Sequence, residues 1–146
     1  MITQIRPCTP QDAAAVSALL RELGYPVSIP LAAAQIQDLS ATGWDPILLA
    51  EADGVVVGLL ASHRCRMLQY AKPVMRITAL VVGRNARRRG VGRLLMQHAE
   101  QMADAQGCEF VELTSAADRA DAHAFYRSIG YEANSLRFRK LPGASR

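Results

Sequence analysis

A run of arginines and glycines between an apolar segment and an amphipathic one is the part of this sequence best suited to chemistry. The run Arg87–Gly92 follows the apolar segment Ile77–Val82. A glycine-rich turn that opens a helix leaves backbone N–H groups without partners, and these donors and the helix dipole favour a phosphate. Glycine at positions 90 and 92 lets an anion approach the main chain closely. The sequence therefore predicts a phosphate-binding loop, to which Arg93 can add charge.

The spacing of the loop excludes two familiar phosphate motifs. It lacks the G-x-G-x-x-G pattern of dinucleotide-binding folds, and no Gly-Lys-Ser/Thr follows as in a Walker loop. The net charge is +4, and arginine supplies 15 of the 17 cations. A nucleic-acid partner is not expected, because the cations gather around one glycine loop and few aromatic residues are present to stack on bases.

Length and composition indicate an ordinary globular protein. The chain has 146 residues, which suits a single domain over residues 1–146 with a frayed tail at 142–146. No apolar run reaches the roughly 18 residues that a membrane span needs, and the N-terminus has no signal-peptide character. We expect a cytoplasmic protein without membrane contact. The three cysteines have no metal-site spacing, so no metal is expected.

The periodicity of apolar residues predicts a mixed α/β domain with a mostly antiparallel sheet flanked by helices. Its element order is β-α-α-β-β-β-α-β-α-β-β. Helices are predicted to start at Thr9, Leu31, Gly90 and Ala120, with glycines ending three of them. The predicted strands cover 2–7, 47–51, 55–62, 74–82 and 110–114, with two more from Tyr131 and over Ser135–Leu141.

Two motifs together resemble the GNAT family of N-acetyltransferases. The first is Leu80–Val82 followed by Arg87-x-x-Gly90-x-Gly92, which is similar to the acetyl-CoA motif of that family. The second is Ala122–Tyr131, which is similar to the family segment A-x-x-(F/L)-Y-x-x-x-G-(F/Y). The last residues, Arg137–Leu141, also look like the final strand of that family. The resemblance covers nearly the whole chain and implies the GNAT fold.

The resemblance implies acetyl-CoA as the cofactor and assigns its contacts. In the family, the strand before the loop splays from its neighbour and its backbone pairs with the pantetheine arm, while the loop holds the pyrophosphate. Arg119 stands where many members carry an asparagine that contacts the cofactor. The implied cofactor-binding residues are Leu80, Val81, Val82, Arg87, Arg88, Arg89, Gly90, Val91, Gly92, Arg93, Arg119 and Tyr126.

The resemblance also assigns a general acid, whereas the general base stays open. Tyr126 matches the family tyrosine that protonates the departing CoA thiolate. Several members carry a glutamate early in the strand before the loop, but this chain has Arg76 there. Glu112, His63 and Asp45 are the candidate substitutes, and Glu112 is the one we name with Tyr126 as catalytic. Two further histidines have structural interpretations: a core position for His98 and a capping role for His123.

These assignments predict an enzyme that moves an acetyl group from acetyl-CoA to a primary amine by direct attack in a ternary complex. The acceptor is expected between the Gly24–Pro30 loop, the second helix and the Gln69–Pro73 loop, and Arg76 suggests that it carries a carboxylate. A small molecule is the first expectation, with a peptide, a protein amine or charged tRNA as alternatives. A catalytically weak CoA-binding sensor is the rival class. A homodimer is compatible with the sequence.

Overall fold

The computed structural model describes residues 2–143, and their contacts divide the chain into a first unit, residues 2–113, and a second unit, residues 114–143. The first unit holds one five-stranded sheet in the order β1-β2-β3-β4-β5. Strands β1 to β4 pair antiparallel, and β5 pairs parallel to β4. The strands are β1 (Thr3–Pro7), β2 (Ile47–Ala52), β3 (Val55–Cys65), β4 (Val74–Val82) and β5 (Val111–Leu113). The predicted mixed, mostly antiparallel sheet is confirmed.

Local signals explain where the first two helices begin and end. A single 3₁₀ turn, Pro10–Asp12, leads into α1 (Ala13–Leu23), and the Asp12 carboxylate accepts from the backbone N–H of residue 9 at 2.9 Å. The helix α2 (Ile29–Thr42) starts two residues earlier than predicted, because the residue-28 hydroxyl accepts from the N–H of residue 31 and caps the first turn. Left-handed glycines, at φ +107° for Gly24 and +73° for Gly43, end the two helices.

The helices α1 and α2 cover one face of the sheet. The helix α3 (Val91–Ala105) packs against the other face. Val16 of α1 and Ile36 of α2 belong to one buried cluster with Leu59 and Val81 of the sheet. The buried side chains of α3 are Val91, Leu95, Met96, Ala99 and Ala103.

The prediction that His98 occupies the core is wrong, because His98 is exposed. The buried stripe of α3 repeats every four residues from position 91 through 95, 99 and 103, with position 96 beside it. Position 98 lies one residue before this stripe, and a step of one residue turns a helix by about 100°. The imidazole therefore lies at the border of the apolar face and reaches solvent.

Gly58 of β3 allows α3 to lie close to the sheet. A Cβ atom at this position would lie 3.0 Å from Leu95 Cδ1, 3.0 Å from Val91 Cγ1 and 3.4 Å from Ala50 Cβ. Both α3 contacts belong to the first half of the helix. The missing side chain at position 58 therefore helps to fix where the N-terminus of α3 sits against the sheet.

We expect Gly58→Val to lower the free energy of unfolding by about 1–2 kcal/mol. Overpacking a core position costs about 1–3 kcal/mol, which exceeds the gain of at most about 1 kcal/mol from replacing glycine by valine in a strand. Urea unfolding followed by circular dichroism measures the difference. Ala34→Val, on the exposed side of α2, is the control and should cost only about 0.5 kcal/mol. Equal stability of Gly58→Val and the wild type would contradict the close packing.

The second unit contains the helix α4 (Ala120–Ser128), near the predicted bounds, and lacks the last two predicted strands. The predictions of a strand from Tyr131 and another over Ser135–Leu141 are wrong for this structure, which assigns no strand to residues 114–143. The alternation of Leu136 and Phe138 is real, but their side chains are 82% and 88% exposed. Alternation produces a strand only where a neighbouring strand supplies hydrogen-bond partners. Of the predicted tail, residues 144–146 lie outside the described residues.

None of the helices within residues 2–143 is long and apolar enough to cross a membrane.

Candidate active site

The strand β4 loses its neighbour on one side partway along its length. Its parallel pairing with β5 covers only Met75–Ile77, opposite Val111–Leu113. Within residues 2–113, no strand pairs with residues 78–82 on that side of the sheet. An unpaired strand edge presents a row of N–H and C=O groups that can bind another extended chain. This open edge includes Leu80, Val81 and Val82, the residues to which the family resemblance assigns the pantetheine arm.

A β-bulge lies at the point where this edge opens. Ala79 lies opposite Ala61 of β3, whereas Ile77 lies opposite Ser62, so Thr78 is an extra residue without an opposite partner. A bulge bends its strand and locally disrupts the ladder, and bulges are frequent beside active sites. The sequence analysis missed this feature, since Thr78 belongs to a uniform run of strand-forming residues. The bulge becomes visible only in the strand register, where Thr78 has no opposite residue.

Backbone and side-chain contacts hold the turn that follows β4. The Gly83 N–H donates to the Val57 carbonyl at 2.7 Å, and the Arg84 N–H donates to a Glu22 carboxylate oxygen of α1 at 2.9 Å. The Arg87 side chain turns back, and its Nε donates to the Val82 carbonyl at 3.2 Å. Arg87 therefore closes the turn onto the strand end, a role that the sequence analysis did not assign to it.

The loop then enters α3 through two residues in the left-handed region. Arg88 has φ +63°, and Gly90, the residue before the helix, has φ +79°. The Gly90 carbonyl accepts from the N–H of residue 94 at 3.0 Å, which closes the first turn of the helix. The N–H groups of Val91, Gly92 and Arg93 precede that turn and have no intrahelical acceptor. They point out of the positive end of the helix, where an anion is stabilised.

The cationic side chains of this loop face solvent. Arg88, Arg89 and Arg93 are all exposed, and a Cβ atom at Gly90 would meet no atom within 4 Å. The loop can thus offer guanidinium groups and main-chain donors to one anion without first breaking a core contact. The strand edge, the turn and the helix start form one continuous segment, so the predicted cofactor residues from Leu80 to Arg93 are brought together.

A row of ionisable side chains crosses the other end of the sheet. Arg76 of β4 lies between His63 of β3 and Glu112 of β5 in the strand register. Its Nε donates to Glu112 Oε2 at 2.6 Å. Glu112, the predicted base, is thus bound to Arg76, the residue expected to contact a carboxylate of the acceptor. His63 Nδ1 lies 2.7 Å from Oδ1 of Asp45, which stands two residues before β2. The order of ionisable side chains across the sheet is therefore Asp45, His63, Arg76 and Glu112.

The loops predicted to line the acceptor site are exposed. Tyr25 and Ile29, beside the α1–α2 connection, are 59% and 51% exposed. Residues Arg66–Ala71, with Tyr70, line an open depression that overlaps the predicted Gln69–Pro73 loop. The Tyr70 ring packs edge-on against Phe110 at 5.1 Å between centroids.

The predicted acid, Tyr126, lies in α4 of the second unit. Its ring makes edge contacts with Phe125 and Tyr131, with centroids 5.2 Å and 6.1 Å away. Burial raises the pKa of the Tyr126 phenol above its usual value, and the charge of Arg119 at the start of α4 opposes that shift. The phenol is therefore protonated at neutral pH, as a proton donor must be. His123 Nε2 lies 2.8 Å from the carbonyl of residue 116, so its ring fastens the preceding loop.

No group of three or more His, Cys, Asp or Glu side chains within residues 2–143 could hold a metal ion. The three cysteines are free, and burial raises the pKa of Cys8 to about 11 and the pKa of Cys108 above its ordinary value. Thiols with raised pKa values carry little thiolate at neutral pH, so they are poor nucleophiles.

Comparisons with known proteins agree with this geometry. An aminoalkylphosphonate N-acetyltransferase of Salmonella typhimurium is 33% identical over 143 residues, covering 95% of this chain and 91% of that protein. A solved putative acetyltransferase from Agrobacterium tumefaciens superposes with a TM-score of 0.86 at 25% identity, covering 94% of this chain and 99% of that one. An aminoglycoside N-acetyltransferase in complex with CoA superposes with a TM-score of 0.85 at 17% identity, covering 97% and 95%.

The profile of the acetyltransferase (GNAT) family matches residues 14–131, which include the open strand edge, the arginine–glycine loop and α4. The predicted class of enzyme, an acyltransferase, is thereby confirmed. The chain belongs to the acetyltransferase (GNAT) family.

Proposed function

We propose that this protein transfers the acetyl group of acetyl-CoA to the primary amine of a small molecule, by direct attack of the amine in a ternary complex. The observation that carries the proposal is the continuity of the open edge of β4, over residues 78–82, with the arginine–glycine loop and the start of α3. CoA has an extended amide-bearing arm next to a pyrophosphate. Acetyl-CoA also agrees with the CoA complex of the structural neighbour.

In this proposal each part of CoA has its own partners in the chain. The backbone of the β4 edge pairs with the amides of the pantetheine arm, as an added strand would. The main-chain donors of the loop and of the first turn of α3 hold the pyrophosphate, and nearby guanidinium groups neutralise it. The proposed cofactor residues are Leu80, Val81, Val82, Arg87, Arg88, Arg89, Gly90, Val91, Gly92, Arg93, Arg119 and Tyr126.

The charge distribution supports anionic ligands on this side of the chain. No Asp or Glu occurs between Asp53 and Glu100. The same stretch carries nine Lys or Arg side chains, and only some of them lie near the arginine–glycine loop. The nine are Arg64, Arg66, Lys72, Arg76, Arg84, Arg87, Arg88, Arg89 and Arg93.

Three of these cations, Arg66, Lys72 and Arg76, precede the loop and lie on the connection and strand next to the expected acceptor site. We therefore propose an acceptor that carries an anionic group besides its amine. An aminoalkylphosphonate has both groups, and the relative that acts on this class aligns with nearly the whole chain. An aminoglycoside is polycationic and would meet repulsion from the same cations.

A panel of matched amines tests this proposal. Release of CoA thiol from acetyl-CoA is measured with 2-aminoethylphosphonate, with β-alanine, with the uncharged analogue ethanolamine and with an aminoglycoside, and mass spectrometry identifies the products. We expect N-acetylation with the highest kcat/KM for the phosphonate and a much lower value for ethanolamine. A preference for ethanolamine or the aminoglycoside would contradict the anionic acceptor. Tight CoA binding without turnover of any amine would favour a CoA sensor.

A further inference from the structure

We propose that His63, oriented by Asp45, is the general base that takes the proton from the ammonium group of the acceptor. The inference rests on the proposed N-acetyl transfer and assigns a residue that this reaction needs. Alkyl ammonium groups have pKa values near 10.4, so only about one molecule in 2,000 is neutral at pH 7. A base that titrates near neutrality removes this limit, and imidazole is the side chain with that property.

The contact with Asp45 decides which nitrogen of His63 can act. Nδ1 lies 2.7 Å from Asp45 Oδ1, and an ionised carboxylate can only accept a hydrogen bond. In the neutral ring the proton must therefore sit on Nδ1, which leaves the lone pair on Nε2. No hydrogen-bond partner of Nε2 is found among the described residues, and the His63 side chain is 43% exposed. Nε2 is thus available to a proton from a ligand.

Asp45 is itself held in place by the end of α2. The Thr42 hydroxyl lies 2.6 Å from the second carboxylate oxygen of Asp45, and the Trp44 N–H donates to the same hydroxyl at 3.0 Å. The Arg64 N–H donates to the Trp44 carbonyl at 2.7 Å, which extends the pairing with β3 beyond the start of β2. The Asp45 side chain is only 15% exposed. The orientation of the His63 ring is thus fixed by backbone pairing.

The position of His63 suits an acceptor that approaches the thioester. Side chains alternate along β3, so His63 shares the face of Leu59, which packs in the cluster with α1 and α2. His63 lies directly opposite Arg76, two residues before the bulge at Thr78 where the open edge begins. Strand spacing and rise place its Cα about 8 Å from that of Thr78. The acceptor predicted beside α2 would meet Nε2 from this face, directly or through one water molecule.

The ion pair at the next position makes Glu112 the weaker candidate. Both Nε and Nη2 of Arg76 lie within 2.6 Å of Glu112 Oε2. The carboxylate oxygen that would accept a proton is thus already bound by a guanidinium. His63 has no such competitor on Nε2. The guanidinium of Arg76 also stands where an anionic group of the acceptor could share it with Glu112.

The proton and electron balance of the reaction is complete with these groups. Nε2 takes one proton from the ammonium, and the freed lone pair of nitrogen forms the new bond to the thioester carbon. Collapse of the tetrahedral species breaks the carbon–sulfur bond, and the thiolate leaves with that electron pair. The nitrogen loses its second proton as the thiolate gains one from Tyr126, and the phenol is then reprotonated. The imidazolium releases its proton to solvent, so one proton is produced per acetyl transfer.

Several charged groups surround the His63 ring. Asp45 stabilises the imidazolium directly, whereas Arg76 on the neighbouring strand opposes it. Glu112 offsets Arg76 through their ion pair. Arg64 lies at the next β3 position and therefore on the opposite face, and Asp38 of α2 is exposed to solvent. Asp45 is thus the only one of these charged groups that is shown in direct contact with the ring.

The first test compares His63→Gln with His98→Gln, which makes the same change at an exposed histidine of α3. The readout is kcat/KM for the best amine against pH, together with the Kd of CoA. In the wild type kcat/KM should decrease at acidic pH, because a protonated base cannot accept the proton of the amine. His63→Gln should lose about 100-fold at pH 7 and rise steadily with pH towards the amine pKa. His98→Gln and the CoA affinity of both variants should match the wild type.

The second test uses Asp45→Asn and Glu112→Gln. Asp45→Asn should lower kcat/KM about tenfold and alter the acidic limb of the pH profile, because the ring loses the carboxylate that orients it. A merely structural role of Asp45 would lower stability without moving that limb. Loss of the limb in Glu112→Gln and its retention in His63→Gln would overturn the inference, while the N-acetyltransferase proposal would stand. Absence of turnover by the wild type with every amine would refute both.

Discussion

Gly90→Asp is expected to weaken CoA binding by at least about 100-fold. The variant adds one negative charge at the residue before α3, where the proposed pyrophosphate lies. Like charges a few ångströms apart at a partly exposed site repel by several kcal/mol, and about 2.7 kcal/mol already corresponds to 100-fold. Isothermal titration calorimetry with CoA measures the change. The effect should shrink as salt is raised, since screening weakens exposed charge interactions.

Gly90→Asn is the matched control for this experiment. It has the shape of Asp without the charge, and both residues tolerate the left-handed region better than other side chains do. The structure leaves free space at this Cβ, so neither variant should disturb the fold by crowding. Gly90→Asn should therefore retain most of the CoA affinity. Equal affinities of Gly90→Asp and the wild type would show that the pyrophosphate is held elsewhere.

Tyr126→Phe is expected to lower kcat by about 100-fold while leaving the Kd of CoA almost unchanged. General acid catalysis contributes about 10²–10⁴-fold, and phenylalanine keeps the ring contacts of Tyr126 with its aromatic neighbours. Because burial raises the pKa of this phenol, the wild-type rate should fall only at a pH above the ordinary range of tyrosine ionisation. The variant should lack that alkaline decrease. Steady-state thiol release against pH measures kcat, and isothermal titration calorimetry measures the Kd of CoA.

Tyr131→Phe serves as the control, since it removes a hydroxyl from the ring that lies 6.1 Å from Tyr126. Its kcat should stay close to that of the wild type. If Tyr126→Phe has the same rates and the same pH dependence as the wild type, the thiolate leaves without a protein proton donor. Tyr126 would then be a packing residue of α4, and the proposed chemistry would rest on the base alone.

The part of the fold that local signals determine was predictable from the sequence. The bounds of β4 and the starts of α3 and α4 follow from apolar periodicity and glycine positions. The final strands were predicted wrongly, because the alternation around Phe138 cannot reveal whether a neighbouring strand is present. His98 was misplaced for a related reason: the apolar stripe of α3 is narrow, and its centre depends on where the sheet lies.

In the candidate site, too, the features set by neighbouring residues were predictable and those set by strand pairing were not. The Arg87–Gly92 loop is contiguous in sequence, so its composition was enough to predict an anion site. The bulge at Thr78 and the row from Asp45 to Glu112 depend on the register of four strand segments, which the sequence does not encode locally. The ion pair of Arg76 with Glu112 explains why the arginine at this position need not indicate an acceptor carboxylate by itself.

The most direct test of the central claim is a ¹⁵N–¹H NMR titration of the protein with acetyl-CoA, with amide shifts assigned residue by residue. The account predicts the largest shifts at the N–H groups of residues 88–93 and 78–82, where the pyrophosphate and the pantetheine arm would bind. Gly90→Asp should need far more ligand for the same shifts. Saturable shifts confined to other segments, with these two unmoved, would contradict the assignment of the arginine–glycine loop to CoA.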